Sequence, residues 1–185
     1  MIGLFGGAFN PPHNGHLALA RSALEEFELE RLVVLVSDDP GHKEVECPLE
    51  QRLALAELAF ADVPRTQVVA DRYRYTIDRL RAEPVDDAIF LIGADQYRDF
   101  ATWKEPEEVL RRVRLGVATR AGVERPPLRS AERGRVVFFE IESPPISSRD
   151  LRRRAARGES LDGLVPPAVA ATIAERGLYR SAALH

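Results

Sequence analysis

The hydrophobic pattern of this chain predicts an α/β fold around a parallel sheet, and two observations carry that expectation. Unbroken apolar runs such as residues 32–36 (LVVLV) and 88–92 (AIFLI) alternate with segments whose apolar residues recur at helical spacing. The runs lack the in-and-out alternation of half-exposed strands, so they belong to strands covered on both faces. Right-handed crossovers between parallel strands then lead to a doubly wound, Rossmann-like sheet. With 185 residues and no internal repeat, the chain suits a single domain on the usual scale of roughly 100–200 residues.

Residues 1–5 make a short strand ending at Gly6-Gly7, and residues 15–27 an amphipathic helix through Leu17, Ala20, Leu24 and Phe27. After the strand at 32–36, Pro48 suits the first turn of a helix with Leu49, Leu53, Ala56 and Phe60 as its stripe. A strand at 67–70 precedes a brief helix capped by Thr76. The strand at 88–92 stops at Gly93, and Pro106 opens a helix carrying Val109, Leu110 and Val113. Strands at 115–119 and 136–141 flank a polar surface loop over 121–135. Helices at 148–157 and 166–176 close the chain, with Gly158 and Gly177 as their stops.

Composition excludes several classes. Hydrophobic residues at 45% and charged residues at 30% fit a globular protein, not a disordered one. No apolar run approaches the roughly 18 residues of a membrane span, and the start lacks the basic residues and cleavage site of a secretory signal. A lone Cys47 excludes an intramolecular disulfide and a multi-cysteine zinc site, and the cytoplasm is the expected compartment. A net charge of −3 speaks against general nucleic-acid binding. Whether copies of the chain assemble is left open. Of 26 basic residues only Lys43 and Lys104 are lysine. Arg149, Arg152, Arg153, Arg154 and Arg157 bunch on one helix, where most of them suit a solvated face.

Chemistry concentrates where the first strand gives way to the first helix, at Gly6-Gly7-Ala8-Phe9-Asn10-Pro11-Pro12-His13-Asn14-Gly15-His16. Two glycines let backbone approach a ligand, and two prolines stiffen the loop. His13 and His16 stand at a helix start, which favours an anion, so a phosphate site is the leading reading. A metal-binding pair and a purely structural pair stay open beside it, although no third ligand lies near. Neither the Walker loop nor GxGxxG is present, which weakens ordinary kinases and dehydrogenases.

The segment GGAFNPPHNGHL resembles the GGTFDPxHxGHL signature of bacterial nicotinate-mononucleotide adenylyltransferases, which belong to the HxGH nucleotidyltransferases. Three further blocks match in order. Tyr75 to Leu80 resembles YTIDTL, Gly93-Ala94-Asp95 followed by Trp103 resembles the GAD block, and Ile146 to Arg152 resembles ISSTxIR. The resemblance implies transfer of the adenylyl group of ATP to nicotinate mononucleotide, with Mg²⁺ brought by the nucleotide and no metal site of the protein's own. It gives His13, His16 and Arg152 catalytic roles, with Ser147 and Ser148 on the outer phosphates. Gly7, Ala8, Phe9, Gly15, Gly93 and Ile146 fall in the ATP site. Lys43, in a PGHK resembling PPHK, reaches a phosphate or is a solvated loop lysine. Asp95 holds the ribose or caps a helix. Trp103 stacks on the acceptor ring or packs in the core, and Thr76 and Arg74 complete the acceptor side. The helices over 148–176 complete the nucleotide site.

The departures from the pattern with the most consequence fall on that acceptor side. Ala8, Asn10 and Arg149 replace Thr or Ser, Asp and Thr, and these changes leave the triphosphate site intact. The loop Ser37-Asp38-Asp39-Pro40-Gly41 is acidic where the family is neutral, and the connection Asp71 to Arg74 is short. A different phosphate-bearing acceptor or another triphosphate therefore stands as the alternative, and a non-catalytic nucleotide sensor as the alternative of another class.

Overall fold

The computed structural model describes residues 1–40, 47–129 and 132–180. Its strands are β1 (Ile2–Gly7), β2 (Arg31–Ser37), β3 (Thr66–Asp71), β4 (Ala88–Gly93), β5 (Arg114–Arg120) and β6 (Val136–Ile141). They form one parallel sheet in the order β3-β2-β1-β4-β5-β6. The expected doubly wound architecture is what forms.

Successive strand residues point to opposite faces, and both faces are covered. Phe5, Val34, Val36, Ile89 and Leu91 enter one core layer, and Leu4, Val33, Leu35, Phe90 and Ile92 the other. The first layer is closed by α1 (Asn14–Glu26), α2 (Leu49–Phe60), α6 (Ser148–Ala156) and α7 (Pro167–Glu175). The second is closed by α3 (Thr76–Ala82), α4 (Ala94–Arg98), α5 (Pro106–Arg112) and a 3₁₀ turn at Phe100–Thr102. Gly158 and Gly177 end α6 and α7 with φ of +69° and +61°, the left-handed stop that glycine adopts without strain.

Four local expectations need correction. The helix α4 and the 3₁₀ turn are too short to show a helical period. Tyr75, not Thr76, is the N-cap of α3: its backbone is extended and its carbonyl accepts the Asp78 and Arg79 N–H groups at 3.1 and 3.3 Å. Pro48 caps α2 from outside its first turn. The buried stripe of α2 is Arg52, Leu55, Ala56, Ala59 and Phe60, while Leu49 and Leu53 only flank the core. A charged residue on a core face is invisible to a hydrophobic period.

Candidate active site

In the observed strand order β1 and β4 are neighbours, and their crossovers lead to opposite sides of the sheet. A crevice opens at such a switch, outside the carboxyl ends of the strands. Here it is a cleft of about 860 Å³, floored by Gly6, Gly7, Gly93, Arg120 and Ile141 at the ends of β1, β4, β5 and β6. Ala8, Phe9, His13, Gly15, His16, Asp95, Ile146, Ser147, Ser148 and Arg152 all line it. The structure thus brings together, from three distant stretches, nearly every residue assigned to the triphosphate side. Lys43 lies outside the described residues.

His13 caps α1 in extended backbone, and its ring stacks on His16 with centroids 3.7 Å apart. His16 Nδ1 accepts the His13 backbone N–H at 3.1 Å. That nitrogen therefore carries a lone pair, and the neutral ring keeps its proton on Nε2 as a donor. Gly15 is closely approached: a Cβ there would lie 3.0 Å from His13 Nδ1 and 3.2 Å from Ser143 Oγ, so a side chain at this position would press on the His13 ring. Asn10 Oδ1 and His13 Nδ1 are buried without a hydrogen-bond partner. Buried polar atoms left so are rare, and here both residues border a cleft from which a ligand can supply the partner.

Burial, with help from the Arg120 guanidinium, lowers the His13 pKa from 6.5 to about 4. His13 is neutral at physiological pH. In the unfolded chain it takes up a proton near pH 6.5, so between that value and about 4 the unfolded state binds more protons. Stability present at neutral pH is therefore lost as pH falls through this window, by about 3 kcal/mol at most. In urea unfolding at about pH 7 and about pH 4.5, His13→Gln should lose about 2 kcal/mol less than the parent between the two. Parallel losses in both proteins would reject the assignment.

The loop after β1 and helix α6 are joined across the chain. Arg152 Nη1 donates to the Asn10 carbonyl at 2.9 Å, and Ser148 Oγ donates to the Pro11 carbonyl at 2.8 Å. Ser147 caps α6, accepting the Asp150 N–H at 3.1 Å and donating to its carboxylate at 2.7 Å. Both hydroxyl donors are thus engaged within the protein. Much of the N–H complement of α1 is also spent, on Leu164 O by Asn14 and on His13 O by His16. Phe9 offers backbone only, since its ring packs edge-on against Phe5, Phe60 and His16 at 5.4, 5.7 and 5.0 Å. Asp95 neither caps nor is buried. Gly93 caps α4, and the Asp95 carboxylate, 92% exposed, pairs with Arg98 at 2.7 Å.

Two cations at the cleft were not singled out from sequence, Arg98 and Arg120, and Arg149, noted there only as a member of the arginine bunch and a departure from the family pattern, lines it as well. The signal for Arg120 was its place as the last residue of a strand in a doubly wound sheet. Among the described residues Asp95 is the one carboxylate lining the cleft, and they contain no cluster of three His, Cys, Asp or Glu side chains fit to hold a metal ion. The donor set suits phosphate.

The acceptor-side residues do not border this cleft. Trp103 is half-buried, packed on Phe100 at 5.3 Å and Phe90 at 6.1 Å, so the core-packing reading accounts for much of its ring. Thr76 opens α3. Arg74 pairs with Asp39 at 3.3 Å and lies 5.6 Å over the Tyr75 ring. Lys104 clasps Asp78 at 2.8 and 2.9 Å. The acidic loop after β2 and the short connection after β3 are thus joined by a direct ion pair.

Among families of known proteins, the one described as cytidylyltransferase-like matches residues 4–154. The fold and the cleft are those of a nucleotidyltransferase, an enzyme class whose members generally use a divalent metal. The chain is 40% identical over 188 residues to the protein named "Probable nicotinate-nucleotide adenylyltransferase" of Thermus thermophilus, covering 97% of this chain and 99% of that one. It is 36% identical over 195 residues to the protein of the same name in Chlorobium luteolum, covering 98% and 99%. It belongs to the nicotinate-nucleotide adenylyltransferase family. The fold is shared with Plasmodium falciparum nicotinic acid mononucleotide adenylyltransferase complexed with NaAD, at a TM-score of 0.78 and 16% identity over 97% of each chain. No helix among the described residues is long and apolar enough to cross a membrane.

Proposed function

We propose that this chain transfers the adenylyl group of ATP to nicotinate mononucleotide. A phosphate oxygen of the acceptor attacks the α-phosphorus, the bond to the bridging oxygen breaks, and pyrophosphate leaves with the electron pair. One observation carries the reading: the paired rings of His13 and His16 and the guanidinium of Arg152, far apart in sequence, border one cleft in which Asn10 and His13 keep buried unpaired atoms.

Such a displacement needs no protein nucleophile, only alignment and neutralisation of growing charge. His16 Nε2–H and neutral His13 donate to phosphate oxygens. Arg152, its Nη1 tied to the Asn10 carbonyl, grips the outer phosphates. Gly7, Ala8, Phe9, Gly15, Gly93 and Ile146 give backbone to the nucleotide, and Asp95 accepts from its ribose after leaving Arg98. A magnesium ion, held by phosphate oxygens and water, neutralises phosphate charge when bound. Residues 1–185 act as one domain in the cytoplasm, with the helices over 148–176 closing the site. Trp103 supports the acceptor ring, with Thr76 and Arg74 beside it.

Pyrophosphate release tests this, with several triphosphates crossed against nicotinate mononucleotide, nicotinamide mononucleotide and phosphopantetheine. Arg72 and Arg74 are close in sequence to Thr76, where a cation favours the acid over the amide. Nicotinate mononucleotide is expected to exceed the amide in kcat/KM by about tenfold or more, roughly 1.4 kcal/mol. Equal values reject the acid-specific reading. Turnover only with another acceptor moves the function there, and ATP binding without turnover identifies a sensor.

A further inference from the structure

Arg52 closes the first turn of α2 with a relative exposure of 1%, and each of its described acceptors is a backbone carbonyl. Its Nε donates to Cys47 O at 2.9 Å, just before α2. Its Nη1 donates to Ala8 O at 2.9 Å and to Ser37 O at 2.7 Å, and Nη2 reaches Asp38 O at 3.5 Å. Burying a guanidinium is costly, and a leucine would serve the apolar stripe of α2 without that cost. The position of the two Nη1 acceptors gives the reason for an arginine. The last paired residues of β1 and β2 are Gly7 and Val36, so Ala8 and Ser37 are the next step, where the ladder between these two strands stops while β2 still pairs with β3 through Ser37 and Asp71. The guanidinium bridges them.

Two residues further on, the Asn10 carbonyl is held by Arg152 from α6. Between the two held carbonyls stands Phe9 at φ 46°, a left-handed conformation that a bulky side chain adopts only under constraint. We propose that Arg52 is a positioning residue for nucleotidyl transfer, stapling the ends of β1 and β2 so that residues 8–10 run taut between two arginines along the floor of the phosphate cleft. It acts through backbone and never meets the substrate. Arg52, Phe9 and Arg152 thus form one device, and the function of that device rests on the adenylyl-transfer reading above.

The test compares Arg52→Lys and Arg52→Met with the parent, by steady-state kinetics and by hydrogen exchange of peptides covering residues 8–10 and 88–93. A lysine keeps the charge but cannot span three carbonyl-bearing segments. Both variants are expected to lose about tenfold or more in kcat, while KM for ATP moves less than about threefold, the mark of lost alignment rather than lost binding. Exchange over 8–10 should quicken about tenfold with 88–93 unchanged, which a general loss of stability would not produce. A kcat within about twofold of the parent in a folded variant overturns the proposal, as does a loss carried wholly by KM. Failure of both variants to fold also overturns it, since Arg52 then serves the fold and not the loop. A parent inactive with ATP and nicotinate mononucleotide would sink the functional reading, and the exchange comparison would still decide whether the staple exists.

Discussion

Replacing His16 with alanine should lower kcat by about two orders of magnitude or more, the scale for removing a preorganised donor from developing phosphate charge. The direction of its proton makes this a sharp expectation. With Nδ1 taken by the His13 backbone N–H at 3.1 Å, Nε2–H is the donor for phosphate. The ring also has a structural role, packing on His13 at 3.7 Å and on Phe9 at 5.0 Å. Its removal costs a helix-start hydrogen bond and an aromatic contact together, about 1–2 kcal/mol. For a chain of this size that is a fall of a few degrees in Tm, too little to unfold the protein at assay temperature. Turnover measured on folded His16→Ala therefore reports the donor and not the fold. Near-parental kcat in such a sample would remove His16 from the chemistry.

What the sequence made legible, and what it did not, divides along a physical line. Continuous apolar strands announced a sheet covered on both faces, and β2 and β4 lie with alternate residues in two separate core layers. The Gly-Gly loop and the histidine pair were readable because phosphate recognition needs those groups at strand ends and helix starts, whereas Arg152 stood out from its neighbouring arginines only through the resemblance to the family. Residues that act through backbone left no such trace. Arg52 sits where the helical period asks for an apolar side chain, and its role appears only once Ala8 and Ser37 are neighbours across the end of the sheet. The hydroxyls of Ser147 and Ser148 carried an expectation from residue type that the fold modifies, because Asp150 and Pro11 O are within their reach. The acceptor side was least legible. Its identity depends on side chains of adjoining loops, and the Asp39–Arg74 pair shows two departures from the family pattern meeting each other at 3.3 Å.

Arg152 and Arg153 are adjacent in sequence and should differ most in consequence. Arg152 is half-buried at the cleft and bonded to the Asn10 carbonyl at 2.9 Å, so its guanidinium is held in a fixed plane beside the phosphate site. Arg153 is exposed on α6, with Asp150 3.8 Å away. Arg152→Met removes the charge, the fork and the tie to the loop, and kcat/KM for ATP should fall by about 100- to 1000-fold. In Arg152→Lys the positive charge remains but planar two-point contact is lost, and a fall of about tenfold is expected. Arg153→Lys should change neither parameter by more than about twofold, because an exposed ion pair in water is worth well under 1 kcal/mol. Measuring kcat and KM for ATP at two salt concentrations separates the two explanations of any effect. A fixed fork in a water-poor cleft is screened little, whereas a diffuse field from the arginine cluster weakens with ionic strength. Equal losses at positions 152 and 153, both relieved by the same added salt, would mean that α6 attracts the triphosphate as a whole and that no single guanidinium grips it.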